Sequence, residues 1–168
     1  NDATEASLST AALSFTTANW NVPRTVTVTG VNDFVADGTI TFPLTVDPSG
    51  ADYNTVASAT VSITTTDNDV AGLSVTPAAV TVDETGTTAS ISAVLTSQPT
   101  GDVTVTITGN DPSEATLSTT TLTFTPANWN AAQTVTMTGV DESVDDGDIT
   151  FTLTFTPAGA DYGAVTAQ

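Results

Sequence analysis

The run Asp141-Glu142-Ser143-Val144-Asp145-Asp146-Gly147-Asp148 places five carboxylates within eight residues. Like charges this close raise one another's pKa values and oppose folding unless something neutralises them. A hard divalent cation does so. Calcium takes about six to eight oxygen ligands at about 2.3–2.6 Å, and an acidic loop supplies them. Two further acidic turns are Asp83-Glu84-Thr85-Gly86 and Asp67-Asn68-Asp69, and Asp111 stands in the turn Gly109-Asn110-Asp111-Pro112. The pattern is not an EF-hand loop, because the bidentate Glu is not at the required spacing. Nor is it the glycine-rich calcium nonapeptide.

Most catalytic chemistry lacks its residues. The chain has no Cys and no His, and its single basic residue is Arg24. Thiol nucleophiles, zinc sites and histidine acid–base catalysis are therefore out of reach. Ser and Thr are plentiful but have neither His nor Lys to activate them. A carboxylate pair can hydrolyse a glycoside, but Asp145 and Asp146 are neighbours in one self-repelling loop. We expect no enzyme.

Nineteen acids against one base give a net charge of −18. A nucleic-acid ligand would need Lys and Arg to displace counterions, and an anionic membrane surface would repel the chain. No apolar run approaches the ~20 residues of a membrane span, so membrane insertion is not expected. No signal peptide appears in these residues, so any export signal is expected outside them. Acid also keeps a long extracellular protein soluble, which is the plain alternative to metal binding.

The elements that must carry these turns read as strands. Period-2 alternation is plain in Thr25-Val26-Thr27-Val28-Thr29, Val103-Thr104-Val105-Thr106-Ile107 and Thr134-Val135-Thr136-Met137-Thr138. Thr and Val favour strands, and alternation turns one face to a core and the other to water. Gly, Pro, Asn and Asp punctuate the runs. Strands are predicted near 72–76, 79–83, 88–96, 103–108, 114–124, 133–139, 148–156 and from 163 onward. Seven or so strands in about 100 residues predict a β-sandwich.

The sequence also repeats. Glu5-Ala6-Ser7-Leu8-Ser9-Thr10 recurs as Glu114-Ala115-Thr116-Leu117-Ser118-Thr119, Asn19-Trp20-Asn21 as Asn128-Trp129-Asn130, and Gly50-Ala51-Asp52-Tyr53 as Gly159-Ala160-Asp161-Tyr162. Every pair is offset by 109 residues, without a gap from Asn1/Asn110 to Ala59/Gln168. Residues 1–69 read as the C-terminal part of one repeat and 70–168 as a second repeat lacking its final strand. The expected fold is all-β, with tandem antiparallel sandwiches whose first and last units are incomplete. Missing strands would leave sheet edges unpaired, so the chain is expected to come from a longer array. The join near residues 67–72 holds no flexible Gly/Ser tract, which favours stiffness.

A strand ending in Asp-Glu-x-Gly, a Thr-Leu-Thr-Phe stretch, Thr-Val-Thr-Met-Thr-Gly-Val-Asp running into an acidic loop, and a terminal Asp-Asn-Asp together resemble the calx-β repeat. That family is an immunoglobulin-like, calcium-binding β-sandwich of cation exchangers and of tandem arrays in large bacterial surface proteins. The form Phe-Thr-x-Ala-Asn-Trp-Asn is similar to repeats of giant bacterial adhesins. By position, the resemblance implies Ca2+ ligands Glu84, Asp111, Asp141, Glu142, Asp145, Asp146 and Asp148 in the second repeat. In the first repeat it implies Asp2, Asp33, Asp37, Asp67 and Asp69. There Asn32, Ala36 and Thr39 stand in place of Asp141, Asp145 and Asp148, so a weaker site is expected.

The expected role is a stiff, secreted stalk or extender at a bacterial cell surface, partnered by neighbouring repeats of the same chain or like subunits, with no receptor indicated. The alternative is a filament or sheath subunit completed by strand exchange. Trp20 and Trp129 are expected to plug the core rather than to stack on sugar. Tyr53 and Tyr162 are expected to tie a turn to the sandwich.

Overall fold

The computed structural model describes residues 2–144 and 147–168. Asp145 and Asp146, both named above as ligands, lie outside the described residues. The described chain is all-β with antiparallel sheets, and its only helical pieces are two short 3₁₀ turns, Ala51–Tyr53 and Ala160–Tyr162. It divides into two compact units. Unit 1 comprises Asn1–Asp33 and Asp37–Asn68, and unit 2 comprises Phe34–Ala36 and Asp69–Gln168.

Unit 1 holds four strands, β1 (Ala6–Leu8), β2 (Val28–Gly30), β3 (Ile40–Val46) and β4 (Ala59–Thr65). They form two separate antiparallel pairs, β1-β2 and β3-β4. Glu5 ties the pairs together, because its carboxylate accepts a hydrogen bond from Thr65 Oγ1 at 3.0 Å.

The described residues of unit 2 form seven strands: β5 (Leu73–Thr76), β6 (Thr88–Leu95), β7 (Val103–Thr108), β8 (Ala115–Leu117), β9 (Thr121–Phe124), β10 (Gln133–Gly139) and β11 (Thr154–Ala158). A four-stranded sheet runs β5-β6-β10-β8 and a three-stranded sheet runs β11-β7-β9. Alternation does the sorting. Val103, Val105 and Ile107 are buried while the threonines between them are exposed, and Val135 and Met137 face inward from β10. Both sheets feed one cluster, in which Ile91, Leu95 and Val135 meet Val105, Phe124 and Phe155. Two antiparallel sheets sharing one core are consistent with a β-sandwich. Burying each large apolar side chain contributes about 1.5–3 kcal/mol.

Four predicted strands differ from the fold. Residues from 163 onward form no strand, although Phe155 N donates to Gln168 O at 2.9 Å and Gln168 N to Phe155 O at 3.1 Å. The stretch 114–124 is broken at Ser118–Thr120, where Thr119 Oγ1 donates to Thr121 O at 2.8 Å and accepts from Thr121 N at 3.2 Å. This hydroxyl turn hands the chain from the four-stranded sheet to the three-stranded one. Residues 79–83 form no ladder, although Val80 and Val82 still pack on the core. The last hairpin arm begins at Thr154 rather than 148. In unit 1 the equivalent arm starts at Ile40 because Ile40 pairs with Thr65.

The repeat extends to hydrogen bonds. Ala6 N donates to Asp2 O, and Ala115 N to Asp111 O, both at 2.9 Å. Thr16 N donates to Asn19 Oδ1 and Thr125 N to Asn128 Oδ1, both at 2.6 Å. Asn19 and Asn128 of the Ala-Asn-Trp motif are therefore turn caps.

Candidate metal centre

Backbone contacts draw the acidic turns of unit 2 toward one end of β10. Gly139 N donates to Thr87 O at 3.0 Å, just after the Asp83–Gly86 turn. Val140 N donates to Glu114 O at 3.0 Å, within the turn that begins at Asp111. The approach is close enough to demand glycine: a Cβ on Gly139 would stand 2.0 Å from Asp83 O. Gly109, with φ of 86°, similarly lies against the Thr152 carbonyl, 2.1 Å from where its Cβ would be. The 83–87 turn, the 109–115 turn and the two flanks of the 141–148 run are thus tied to neighbouring backbone.

The carboxylates themselves are partly engaged. Asp111 Oδ1 accepts from Ser113 N at 3.1 Å and from Ser113 Oγ at 2.6 Å. Asp83 Oδ1 does the same with Thr85 N at 3.0 Å and Thr85 Oγ1. In unit 1, Asp2 Oδ1 accepts from Thr4 N at 3.1 Å and Thr4 Oγ1 at 2.6 Å. These Asx turns stabilise the charged carboxylate. The Ser113 hydroxyl holds Asp111 below the ordinary aspartate range, the Thr85 hydroxyl does so for Asp83, and the Thr4 hydroxyl for Asp2.

Glu84 is exposed beside Asp83, and Asp141 and Asp148 are exposed in the long loop. Glu142 Oε2 accepts from Val144 N at 2.9 Å. In unit 1, Asp67 Oδ2 accepts from Gly38 N at 2.8 Å, which joins the loop of Asp37 to the end of β4. Asp33 and Asp37 are exposed, and Asp69 is half-buried in unit 2. Among the described residues, no three acidic side chains gather closely enough to hold a metal ion. The turns converge through their backbones, while these carboxylates point into separate local bonds.

Asn110 Oδ1 and Glu142 Oε1 at this end, and Asp161 Oδ2 elsewhere in unit 2, are buried without a hydrogen-bond partner. Leaving such an atom unsatisfied costs about 1–3 kcal/mol, and an all-oxygen donor set matches calcium. Asn110 was passed over in the sequence, where Asp111 drew attention. Its signal was the recurrence of Asn1 at the equivalent place.

The aromatic residues divide between the units: in unit 1, against expectation, Trp20 is 69% exposed and plugs no core, and Tyr53 is 57% exposed. Tyr162 is fully buried. Its hydroxyl donates to Ser97 O at 2.7 Å and accepts from Ser97 N at 3.2 Å. Asp161 Oδ1 accepts from Thr100 N at 3.0 Å, fixing the same turn. Trp129 packs on the core from its edge, with its ring centroid 5.8 Å from that of Phe34.

Compared with models of known protein families and with curated proteins, the chain matches none.

Proposed function

We propose that the protein is a non-catalytic, extracellular structural repeat whose acidic loops bind calcium, and that it serves as a stiff extender in a surface protein of the calx-β-like kind. What carries this reading is the pair of buried, unpartnered oxygens of Asn110 and Glu142 in the acidic end of unit 2, in a chain of net charge −18. Calcium supplies the counter-charge that this chain's own side chains lack. Glu84, Asp111, Asp141, Glu142 and Asp148, with Asp145 and Asp146, would hold the ion. Its binding would draw the separate acidic turns together and oppose their repulsion. Asp2, Asp33, Asp37, Asp67 and Asp69 would form the poorer site of the first repeat. The likeness to calx-β rests on the motifs of the strands and acidic turns. Secretion to a bacterial surface follows from that likeness.

The test is small-angle scattering of the chain with calcium and with chelator. Calcium is expected to narrow the distribution of dimensions. Identical profiles under both conditions contradict stiffening.

The uncovered strands of unit 1 favour a second reading, in which neighbouring copies complete one another by strand exchange and assemble into a filament. Concentration-dependent polymerisation of the purified chain would support it.

A further inference from the structure

Phe34–Ala36 comes from the acidic loop of the first repeat, yet it belongs with Asp69–Gln168 in unit 2. The reason lies where β6 ends. Four consecutive amides there each find a different acceptor. Leu95 N donates to Trp129 O at 3.2 Å, Thr96 N to Gly72 O at 2.9 Å and Gln98 N to Phe34 O at 2.7 Å. Between the last two, Ser97 N donates to the Tyr162 hydroxyl at 3.2 Å. Three of the four acceptors come from residues 69–168. Gln98 alone takes its carbonyl from the first repeat, and a backbone donor away from water needs such a partner.

Side chains complete the ledge. Gln98 Nε2 donates to Pro126 O at 2.9 Å, in the turn that leads into Trp129. The Phe34 and Trp129 rings stand 5.8 Å apart between centroids, tilted by 43°, within the range of about 4.5–7 Å that aromatic pairs favour. Phe34 stays 57% exposed, so it caps the indole and fills no cavity. Val35 and Ala36 beside it are half-buried. The sequence of the loop suits this place. It reads Asp33-Phe34-Val35-Ala36-Asp37, where the second repeat has Glu142-Ser143-Val144-Asp145-Asp146. An uncharged tripeptide with a ring thus replaces a hydroxyl and a carboxylate. Gln98, Pro126 and Trp129 carry no charge either. The substitution of Ala36 for an acid reads as a weakened metal loop, and it is equally the making of an apolar peptide.

We propose that the ledge of Gln98, Pro126 and Trp129 is a recognition site for a short, uncharged, aromatic peptide, and that its occupant is Phe34–Ala36. The first-repeat loop then serves unit 2 as a clasp. The main-chain bond to Gln98 supplies attachment, and the ring on Trp129 supplies selectivity, the division of labour usual when an extended peptide binds a strand end. The tie contains no carboxylate and needs no metal. It therefore goes beyond the calcium reading and stands without it.

The experiment reads amide exchange at Gln98 in the whole chain, in calcium and in chelator. The Ser97 and Met137 amides report whether unit 2 stays folded. In Phe34→Ala, exchange at Gln98 is expected to rise about 10-fold or more while both controls keep their protection. Phe34→Tyr retains a ring and is expected to exchange like the native chain. Phe34→Ser with Ala36→Asp gives the first loop the pattern of the second, and is expected to open Gln98 as Phe34→Ala does. A Trp20→Phe background leaves Trp129 as the single indole. Its emission is expected to move to longer wavelength in Phe34→Ala and in the double variant, but not in Phe34→Tyr. Unchanged exchange at Gln98 in Phe34→Ala overturns the proposal, as does protection retained in the double variant. Equal opening in Phe34→Tyr and Phe34→Ala overturns the role of the ring and the proposal with it. A Gln98 amide protected in calcium but open in chelator also overturns it, because the tie would then depend on the ion. Protection of Gln98 in a chain that shows no response to calcium supports the clasp and removes the calcium reading alone.

Discussion

Tyr162 and Tyr53 share a sequence context and differ in every contact. Tyr162→Phe removes a buried hydroxyl that serves Ser97 twice, so unit 2 should lose about 1–3 kcal/mol. Tyr53→Phe, at an exposed ring, should leave the denaturation midpoint unchanged. Equal effects would contradict the difference in burial. Asp111 offers a pH test. Its folded pKa is lowered, chiefly by the Ser113 hydroxyl, so its stabilising contribution is full above the ordinary aspartate pKa of about 3.9. That contribution is lost as pH falls through the lower folded value. The gap in melting temperature between the native chain and Asp111→Ala should therefore be present at pH 6 and close in acid, below the ordinary aspartate range. A gap that persists in acid contradicts the Asx-turn explanation. Residue type revealed where charge collects, but not which oxygen is already bonded. Asp111 reads as a ligand because a Ser two positions on carries no obvious signal, yet that hydroxyl claims one of its carboxylate oxygens.

Strands were legible wherever a partner lies within the chain. Val103–Thr108 and Gln133–Gly139 fall where alternation predicts them, because a buried face punishes any one-residue slip. The last arm begins at Thr154 rather than 148, since among the described residues 149–153 alternate correctly but pair with no strand, whereas Ile40 pairs with Thr65. The break between β8 and β9 was hidden for another reason. Thr119 is a good strand former, and only its hydroxyl bonds to Thr121 reveal the turn. Gly139, at the end of β10, is a point of close packing. Gly139→Ala should cost about 1–3 kcal/mol by forcing the Asp83 turn away. An unchanged urea midpoint would show that this turn yields freely.

The offset of 109 residues accounts for more of the molecule than any single motif. It fixes matching turns, caps and strand phases in both units, and it explains why one set of aromatic residues is buried and the other uncovered. The acidic charge was equally plain from composition, but composition cannot bring side chains together. Backbone contacts tie the 83–87 and 109–115 turns to the end of β10, and on the calcium reading proposed above the ion would supply the last approach. Because the first repeat has Asn32, Ala36 and Thr39 where the second has Asp141, Asp145 and Asp148, calcium titration should resolve two classes of site, the tighter one weakened by Asp148→Asn. A single class of equal sites would contradict that assignment. The decisive measurement is calorimetric melting of the chain in chelator and in millimolar calcium, beside a variant with Asp141 and Glu142 changed to Asn and Gln. Calcium at about 100 times its dissociation constant should add about 2.7 kcal/mol to the stability of unit 2, and the variant should lose most of that gain. Superimposable melts of the native chain in calcium and chelator would show that the acidic end holds no ion.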